Sequence, residues 1–495
     1  MKNFFKKNLL SLQPCLLSVV FVYLFMFFKM LFFNSIYPDS YLYFKSEDIY
    51  WILKMGSWII NNAQIPHFNV LGGQFSELNS LSWVCYQWLF SLIMATTNNL
   101  LGIKGLIYIY SVFYLFTISL LGYMLYLRGF KLFPEIAIAV AISSQYLYSI
   151  IDLRPGIFTI IGCAFLSIIF QFLERKRFLW LSLPVLFLLW ANLHLGFVFG
   201  ILWLAVEMTV LAISKKTILP IGLLILCILT TGINPNGFYL YKYLYALGNS
   251  PYMNMNIQEL LPFSFAFNYE SFCMILLLLS SFYAFNSAKI RISEKIMFLL
   301  SLILTLISAR HISYTIVFMP LIYSTAIEKL INSFGKEVDF FKQRSEQKIN
   351  LPLYFLVCGL IGLIFCLNKS YELPKLPKYL TPAFIEYVNE NPLNSPVLSN
   401  PAVGSELLYY TKARSYLDSR FDMYGDKYVE KYMELFSLHG CWNDKLKKNK
   451  IKYLLYDSKT DYEKENNPFD NLKENFELYG WKVLYRDKNI LLLGT

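Results

Sequence analysis

Five polar side chains in a largely apolar sequence have the chemistry of a group-transfer site. Asp48 begins a polar stretch with helical spacing, and a carboxylate near a membrane-bound donor can accept the proton of an attacking hydroxyl. The guanidinium groups of Arg154 and Arg310 can bind phosphate through paired hydrogen bonds, and His311 adds an imidazole that transfers protons. His194, between two apolar segments, is the fifth candidate.

Each candidate also has a structural interpretation, which the sequence leaves open. The helix macrodipole stabilises a carboxylate at a helix N-terminus, and this would be enough to explain Asp48. Arg154 and Arg310 could extend to the membrane interface, and His194 could bond a backbone carbonyl. Arginines on the outer side run against the usual charge bias of membrane proteins, which favours a functional role for them.

No catalytic or metal-binding signature accompanies these residues. The stretch YLDSRFDMY (416–424) alternates acidic and basic residues, which favours an ion-pair network at the end of a strand over a metal site. The eight cysteines are scattered singly without CxxC spacing, so neither a disulfide framework nor a zinc site is predicted. Serine-nucleophile and phosphate-loop signatures are absent, and no cofactor is certain.

The elements that must position these residues are membrane helices. Of the 495 residues, 56% are hydrophobic and 16% are charged, and the mean hydropathy is +0.45. A soluble protein of this composition would expose too much apolar surface, so an α-helical multi-pass membrane protein is predicted. The net charge of +11 is concentrated in short loops between apolar runs, which is typical of orientation signals and not of nucleic-acid binding.

About eleven apolar runs have roughly the ~17–25 residues that a membrane-spanning helix needs. They are 14–34, 105–127, 134–150, 156–174, 178–191, 195–214, 217–232, 270–286, 294–308, 312–327 and 351–367. The amphipathic stretch 45–69 and the polar-interrupted run 81–103 are predicted to lie in the membrane interface. The positive-inside rule then places the N-terminus in the cytoplasm, together with the basic loops 127–132, 174–177, 214–217, 289–295 and 328–350.

This topology predicts two domains. Residues 1–367 form a transmembrane domain with a large outer first loop at 35–104, and residues 368–495 form a small extracytoplasmic α/β domain. All four histidines then lie on the outer side, as do Asp48, Arg154 and Arg310. Titratable and cationic groups at the outer ends of several helices predict one convergent polar site.

Short segments in order along the chain carry a resemblance to one family. They are DIYWILKMG and IPHFN in the first outer loop, then WVCYQWLF, RPGIFT, WANLHLGF, INPNGFYLY and ARHISY, and DSRFDMYG in the C-terminal domain. With these segments the chain resembles bacterial multi-pass membrane proteins of the GT-C glycosyltransferase class. It departs from the family pattern at Ile52, where a His is expected, and at Gln87, where a Glu is expected. A second acid or a metal ligand of the pattern is therefore absent.

The resemblance implies an inverting glycosyltransferase of the bacterial cytoplasmic (inner) membrane. Its donor would be a polyprenyl-phosphate-linked sugar, and transfer to a hydroxyl of a glycan, lipid or protein acceptor would take place at the outer face. Asp48 would be the catalytic base, and the lipid phosphate and leaving-group charge would be met by Arg154, His194, Arg310 and His311. A divalent metal ion is the one cofactor that the resemblance leaves open, and membrane lipids are the other expected partners.

Two further functions remain open from the sequence. An O-antigen-type polymerase or ligase is a second enzyme class, although such proteins usually place their polar loop late and lack a C-terminal soluble domain. A non-enzymatic transport or assembly protein of envelope polysaccharide export is the other. Against a carrier, the spans are expected to lack mid-membrane charges apart from Lys29. A cavity that gathers Asp48, Arg154, His194 and Arg310 would favour the enzyme.

Overall fold

The computed structural model describes residues 46–131, 135–150, 153–173, 176–266, 268–333, 377–438, 441–458 and 476–495. Most of these residues are helical, and a small sheet forms near the C-terminus. The helices in chain order are α1 (Asp48–Asn62), α2 (Ser76–Asn79), α3 (Trp88–Leu127), α4 (Ala137–Ile150), α5 (Ile157–Phe172), α6 (Ser182–Leu193), α7 (Phe197–Lys215), α8 (Leu219–Thr231), α9 (Tyr239–Gly248), α10 (Pro251–Asn256), α11 (Tyr269–Ala284), α12 (Ile292–Ile307), α13 (Ile312–Thr315), α14 (Met319–Ser333), α15 (Pro382–Glu390), α16 (Pro401–Tyr410), α17 (Phe421–Tyr424), α18 (Asp426–Phe436) and α19 (Trp442–Lys448). Short 3₁₀ turns lie at Arg177–Leu181, Gln258–Leu260 and Ala309–His311. The strands are β1 (Val397–Ser399), β2 (Tyr453–Asp457), β3 (Lys482–Arg486) and β4 (Ile490–Gly494).

Helices occupy the apolar runs that fall within the described ranges. The run 195–214 folds as α7, the run 156–174 folds as α5, and the run 105–127 forms the second part of α3. The runs 14–34 and 351–367 lie outside the residues that the structure describes. Apolar runs therefore predict where the helices are, because those residues must be removed from water.

The predicted count of about eleven spans is not supported. Within the described ranges, α3 and α7 are long and apolar enough to cross a membrane, and the bent pair Ala309–Thr315 and Met319–Ser333 would make a third span. The reason is that the other apolar helices are too short. A helix rises about 1.5 Å per residue, so the 16 residues of α5 measure about 24 Å, whereas the hydrocarbon core is about 30 Å thick. The fold is compatible with a membrane protein that has a small number of spanning helices.

Helix α3 is broken at Gly102, whose φ of 66° and ψ of −167° lie outside the helical region. Glycine adopts this conformation without the steric conflict that a Cβ would create. The break coincides with the predicted boundary between the interfacial run 81–103 and the span 105–127. Packing also changes there, because residues up to Lys104 cluster with one compact unit and residues from Gly105 cluster with another.

The chain forms two compact units, each built from several segments. Of the described residues, those within 105–237 and 258–333 form the first unit, and those within 46–104, 238–257 and 377–495 form the second. The predicted domains are continuous along the chain, whereas these units are not. The predicted outer first loop and the predicted C-terminal domain contribute to the same unit.

The described part of the first unit is helical. Helices α5 to α8 pack on one another, α4 and α11 pack on α14, and α12 packs on α7. Two glycines allow close approach, because a Cβ at Gly162 or at Gly200 would overlap the buried indole of Trp190. Small residues serve the same purpose wherever helices pack tightly within a membrane.

Charged side chains meet at one end of these helices. Arg128, just after α3, donates hydrogen bonds to both carboxylate oxygens of Glu294 in α12. It also donates to the hydroxyl of Ser167 in α5 at 2.7 Å. Lys289 pairs with Glu328 at 2.5 Å. Arg128, Lys289 and Glu294 lie within the stretches 127–132 and 289–295, which the positive-inside rule assigns to the cytoplasm.

Glu207 corrects one expectation from the sequence. It is buried within the apolar helix α7, so a second charge besides Lys29 lies inside an apolar run. Its carboxylate is 3.1 Å from Nε of Arg291 and accepts a hydrogen bond from the hydroxyl of Ser293. These partners compensate the buried charge. Lys29 itself lies outside the described residues, and the argument against a carrier is weaker than the sequence suggested.

The second unit contains a four-stranded sheet in the order β1-β2-β4-β3. Strands β1 and β2 are parallel, and β4 pairs antiparallel with both β2 and β3. Strand β4 is fully buried, which fits its continuous apolar run and its central place in the sheet. Short apolar stretches at 452–456, 483–485 and 490–493 predict strands, and the structure has β2, β3 and β4 there.

Helix α1 is buried within the second unit, which corrects its predicted interfacial position. Its apolar face, including Trp51 and Ile52, is covered by protein, and the helix packs against α16. Gly56 marks its close approach to the first part of α3, because a Cβ there would overlap the carbonyl oxygen of Ser91. The amphipathic pattern predicted the helix correctly, but it does not distinguish a lipid surface from a protein surface.

Candidate functional site

Asp48 is the first residue of α1 and belongs to the second unit. The indole N–H of Trp51 donates to Asp48 Oδ1 at 3.2 Å, and the backbone N–H of Asp48 donates to Ser46 Oγ at 3.2 Å. The indole contact follows from the i, i+3 spacing on a helix. It orients the half-buried carboxylate, as a general base requires.

Trp51 connects Asp48 to two segments that are distant in sequence. Its ring meets the ring of Trp83 edge-on, with centroids 5.7 Å apart. The guanidinium of Arg420 lies over the Trp83 ring, 4.9 Å from its centroid, which is a favourable cation–π geometry. We refer to Asp48, Trp51, Trp83, Asp418 and Arg420 as the Asp48 cluster.

Arg420 and Asp418 form a buried ion pair in this cluster. Nε and Nη2 of Arg420 donate to the two oxygens of Asp418 at 2.9 and 2.6 Å, and Nη1 donates to Asn69 Oδ1 at 3.0 Å. The hydroxyl of Tyr424 donates to Asp418 at 2.9 Å. Burial raises the pKa of Asp418, but the Arg420 charge and these hydrogen bonds outweigh it and hold the pKa below its usual value. The pair therefore fixes the geometry of the cluster.

Glu406, in α16, fixes the first turn of α1. It is fully buried and accepts hydrogen bonds from the hydroxyl of Tyr50 at 2.9 Å and from the backbone N–H groups of residues 378–380. Glu47 accepts a hydrogen bond of 2.6 Å from the hydroxyl of Tyr379, in the segment 378–380. Burial raises the pKa of Glu406, although the N–H donors act in the opposite direction. Together these bonds hold Glu47, which precedes Asp48, and Tyr50, which lies two residues after it.

His194 follows the last residue of α6, in the first unit. Thr159 Oγ1 is 2.7 Å from His194 Nδ1, and the backbone N–H of Gly196 donates to the same nitrogen at 3.1 Å. A ring nitrogen that accepts from a backbone N–H carries no proton, so Nε2 is protonated in the neutral ring. Burial, followed by the charge of Arg310, lowers the pKa of His194 to about 3. The ring is therefore neutral and has Nε2–H as its donor.

Arg154 lies on the loop before α5. Its guanidinium pairs with the carboxylate of Glu259 in the turn Gln258–Leu260, and the hydroxyl of Tyr110 donates to the Arg154 carbonyl at 2.9 Å. The two side chains are 34% and 49% exposed. A pair this exposed contributes about 0–1 kcal/mol, because water screens it. A phosphate can therefore compete with Glu259 for the guanidinium.

Arg310 and His311 lie in the turn Ala309–His311, directly after α12. Arg310 is exposed, and among the described residues no carboxylate lies within ion-pair distance of it. Nδ1 of His311 is 3.2 Å from the carbonyl oxygen of Leu304, and its ring stacks on Tyr314 with centroids 5.5 Å apart. Because a carbonyl only accepts, Nδ1 carries the proton and Nε2 of the neutral ring is an acceptor.

Four of the five predicted side chains gather in the first unit. The turn that carries Arg310 and His311 packs against the turn that carries Glu259, and Glu259 holds Arg154. Arg310 is close enough to His194 to lower its pKa. We refer to Arg154, His194, Arg310 and His311 as the cationic cluster. Since Asp48 belongs to the other unit, a single cavity for all five side chains stays a prediction.

The segments that carry the family resemblance contact one another in each unit. In the first unit, Thr159 of RPGIFT meets His194 of WANLHLGF, and the Asn192 side chain donates to the carbonyl of Ile233 in INPNGFYLY at 2.9 Å. In the second unit, Asn69 of IPHFN accepts from Arg420 of DSRFDMYG. Segments far apart in the sequence are therefore partners in space.

Two comparisons with known proteins found no match. No protein-family model matches the chain, and no curated protein matches it. In the described part of the chain, no group of three or more His, Cys, Asp or Glu side chains has an arrangement that could hold a metal ion. None of the side chains described above is assigned to a metal.

Sequence reasoning missed three residues that support these clusters. Glu406 had one signal, a lone glutamate within the largely apolar segment PAVGSELLYY, because a buried carboxylate requires partners. Thr159 and Glu259 had none, since a helical threonine and a surface glutamate are common. The predicted outer residue His439 lies outside the described residues.

Proposed function

We propose that this chain is a membrane glycosyltransferase that moves a sugar from a polyprenyl-phosphate donor to a hydroxyl of a glycan, lipid or protein acceptor. The observation that carries the proposal is the cationic cluster. It combines an exposed arginine that has no carboxylate partner among the described residues, a second arginine in a weak exposed pair, and a neutral imidazole donor. These groups, at the ends of apolar helices, suit a phosphate attached to a lipid.

Three members of the cationic cluster have a direct part in phosphate binding and leaving-group stabilisation. Arg310 binds the phosphate directly, and Arg154 exchanges Glu259 for a phosphate oxygen. His194 donates from Nε2, and because its ring is neutral it adds a hydrogen bond without a full charge. When the sugar–phosphate bond breaks, negative charge grows on the phosphate, and these donors stabilise the transition state.

Asp48 is the base in this proposal. The acceptor hydroxyl transfers its proton to the Asp48 carboxylate as its oxygen bonds to the anomeric carbon. The bond from that carbon to the phosphate oxygen breaks, and polyprenyl phosphate departs with the electron pair. Attack opposite the leaving group inverts the anomeric carbon. The hydrogen bond from Trp51 supports this role because it limits the orientations of the carboxylate.

The proposal includes a topology in a bacterial cytoplasmic (inner) membrane, with a cytoplasmic N-terminus and an extracytoplasmic second unit. Its support is a contact pattern within the first unit. Arg128 and Lys289 are both assigned to the inner side by the positive-inside rule, and Nη1 of Arg128 donates a hydrogen bond to the carbonyl oxygen of Lys289. Arg154 and Arg310, assigned to the outer side, occupy neighbouring turns. Residues with the same predicted side are thus neighbours.

A carrier or assembly protein of polysaccharide export is the second candidate, and Glu207 favours it. Buried charges within apolar helices recur in transport pathways. Glu207 already has Arg291 and Ser293 as partners, so a structural role accounts for it equally well. A carrier would tolerate loss of the Asp48 carboxylate, and the enzyme would not.

The variant Asp48→Asn separates these functions. Asparagine keeps the size of the side chain and can still accept the Trp51 hydrogen bond, but it is a far weaker base. A strain with this variant as its sole copy should produce the envelope glycan of the deletion strain. The matched control Asp444→Asn, at an exposed position on α19, should give the wild-type glycan. Wild-type glycan from Asp48→Asn, with normal amounts of the chain in the membrane, would exclude Asp48 as the base.

A further inference from the structure

A cavity in the second unit has no part in the chemistry proposed above. It has a volume of about 480 Å³ and lies between the α9–α10 segment and the start of α18. Its lining includes Asp422 and Asp426 together with Tyr243, Tyr424 and Tyr428. Binding sites for small molecules measure about 300–1,000 Å³ and combine apolar walls with a few polar groups. This cavity fits that description.

Hydroxyl donors hold both carboxylates in place. The hydroxyl of Tyr243 donates to Asp422 Oδ2 at 2.7 Å, and the hydroxyl of Ser250 donates to Asp426 Oδ1. The backbone N–H of Tyr252 donates to Asp426 Oδ2 at 3.4 Å. These bonds connect the two walls of the cavity and preorganise it. Each carboxylate oxygen can accept more than one hydrogen bond, so ligand hydroxyls can join these donors.

A series of neighbouring tyrosine rings begins at the cavity and joins the end of α17, one side of α18 and the segment before α17. Tyr424 and Tyr428 are stacked with centroids 5.2 Å apart, and Tyr432 follows at 4.6 Å from Tyr428. Tyr416 continues the series at 4.7 Å from Tyr432. Tyr416, Tyr424 and Tyr432 are buried and support the half-buried ring of Tyr428, which borders the cavity. A tyrosine presents a flat apolar ring with a polar hydroxyl at its edge. A pyranose has the matching surface, with C–H groups on its faces and hydroxyls around its rim.

The charge of the cavity distinguishes between the two substrates of a glycosyltransferase. Two carboxylates and one lysine, Lys427, line it, so a phosphate would be repelled and hydroxyl donors would be attracted. The cavity adjoins the segment that carries Trp83, because the ring of Tyr86 lies 6.1 Å from the ring of Tyr243. An acceptor bound here would occupy the unit that contains Asp48.

We propose that this cavity binds an uncharged saccharide, whose hydroxyls bond Asp422 and Asp426 and whose apolar face contacts Tyr428. That this saccharide is the acceptor rests on the proposed transferase function; the binding itself does not. The division of charge gives each substrate its own site. The phosphate donor binds at the cationic cluster, and the neutral saccharide binds in the acidic cavity.

Saturation-transfer-difference NMR on the full chain in lipid nanodiscs tests this site. The probes are three neutral disaccharides: maltose, cellobiose and N,N′-diacetylchitobiose. At least one should receive saturation from the wild-type chain. Ala246→Trp fills the cavity from an exposed position on α9 and should weaken that binding at least tenfold. The matched control Lys242→Trp lies one turn earlier on the same helix, is exposed, and is not part of the lining, so binding should be unchanged.

Asp422→Asn is the second variant, chosen because it preserves side-chain volume. It should weaken binding at least fivefold, since a neutral amide replaces a charge-assisted acceptor. Absence of saturation transfer to all three disaccharides overturns the site, and so does equal binding by Ala246→Trp and wild type. The two proposals fail separately. If glycan transfer persists in Asp48→Asn, the proposed function is excluded and the saccharide site is not affected. If glycan transfer is lost in Asp48→Asn but no disaccharide binds the wild-type chain, the saccharide site alone is excluded.

Discussion

Replacing Arg420 with methionine tests how far one ion pair stabilises the second unit. Arg420 and Asp418 are 1% and 4% exposed, so water cannot compensate either charge. The substitution removes three side-chain donors, two to Asp418 and one to Asn69. Asp418 keeps the hydroxyl of Tyr424 and one backbone N–H as donors. A buried carboxylate is then left without its counter-charge.

The expected loss of stability is large. Removing one partner of a buried ion pair costs about 3–5 kcal/mol. In a domain of about 150–250 residues, each kcal/mol lowers Tm by about 2–4 °C. The transition of the second unit should therefore shift down by roughly 6–20 °C in Arg420→Met.

Thermal unfolding of the purified full chain in detergent, followed by tryptophan fluorescence and near-UV circular dichroism, measures the shift. The control is Lys447→Met, at an exposed position on α19, and surface changes of this kind usually stay within about 0.5 kcal/mol. A transition in Arg420→Met within about 2 °C of wild type would refute the reasoning, because such a change corresponds to no more than about 1 kcal/mol.

Acidification should reduce the difference between Arg420→Met and wild type. In wild type, the pKa of Asp418 is lowered, so its stabilising contribution is present above the ordinary pKa and is lost as pH falls through the lowered value. In the variant, burial acts without the guanidinium and raises the pKa, so protonation relieves the destabilisation. The gap in Tm should narrow as pH approaches about 4. A gap that is constant from neutral pH to that value would contradict the assignment.

Two further substitutions test close packing and the histidine tautomer. Gly56→Ala should destabilise the second unit by roughly 1–3 kcal/mol, because the new Cβ would overlap the carbonyl of Ser91. The control Gly248→Ala should leave the stability unchanged, because a Cβ there meets no atom within 4 Å. Equal transition temperatures for Gly56→Ala and Gly248→Ala would contradict this explanation. Thr159→Val removes the hydroxyl donor to His194 Nδ1. Glycan yield should fall about tenfold, because that is the effect on the rate of losing roughly one hydrogen bond in the transition state. Thr159→Ser should retain the yield, and an undiminished yield in the valine variant would exclude the role of this contact.

The positions of the helices were predictable, but the number of spans was not. Apolar runs such as 195–214 must leave water, and α7 forms where that run lies. A hydropathy pattern does not reveal where the backbone breaks. Gly102 interrupts α3 through its positive φ, and the turn Ala309–His311 precedes a bend before α14. These breaks depend on local backbone geometry and on packing partners.

The candidate site was predictable in its charges and not in its contacts. Arg154 and Arg310 stood out because arginine on the outer side opposes the usual charge bias. The stretch 416–424 indicated an ion pair, and the structure pairs Asp418 with Arg420 while Asp422 lines a cavity. The partners were invisible because they come from distant segments. Neither Thr159 beside His194 nor Asn69 beside Arg420 follows from any local pattern.

The central claim, that the Asp48 carboxylate takes the acceptor proton during transfer from a polyprenyl-phosphate sugar, is tested most directly in lipid extracts. Mass spectrometry should compare polyprenyl-phosphate sugars in strains that carry wild type, Asp48→Asn or a deletion. The account predicts that one such lipid accumulates in the Asp48→Asn and deletion strains alike, because donor synthesis continues while transfer stops. A wild-type lipid profile in the Asp48→Asn strain, with normal amounts of the chain in the membrane, would contradict it.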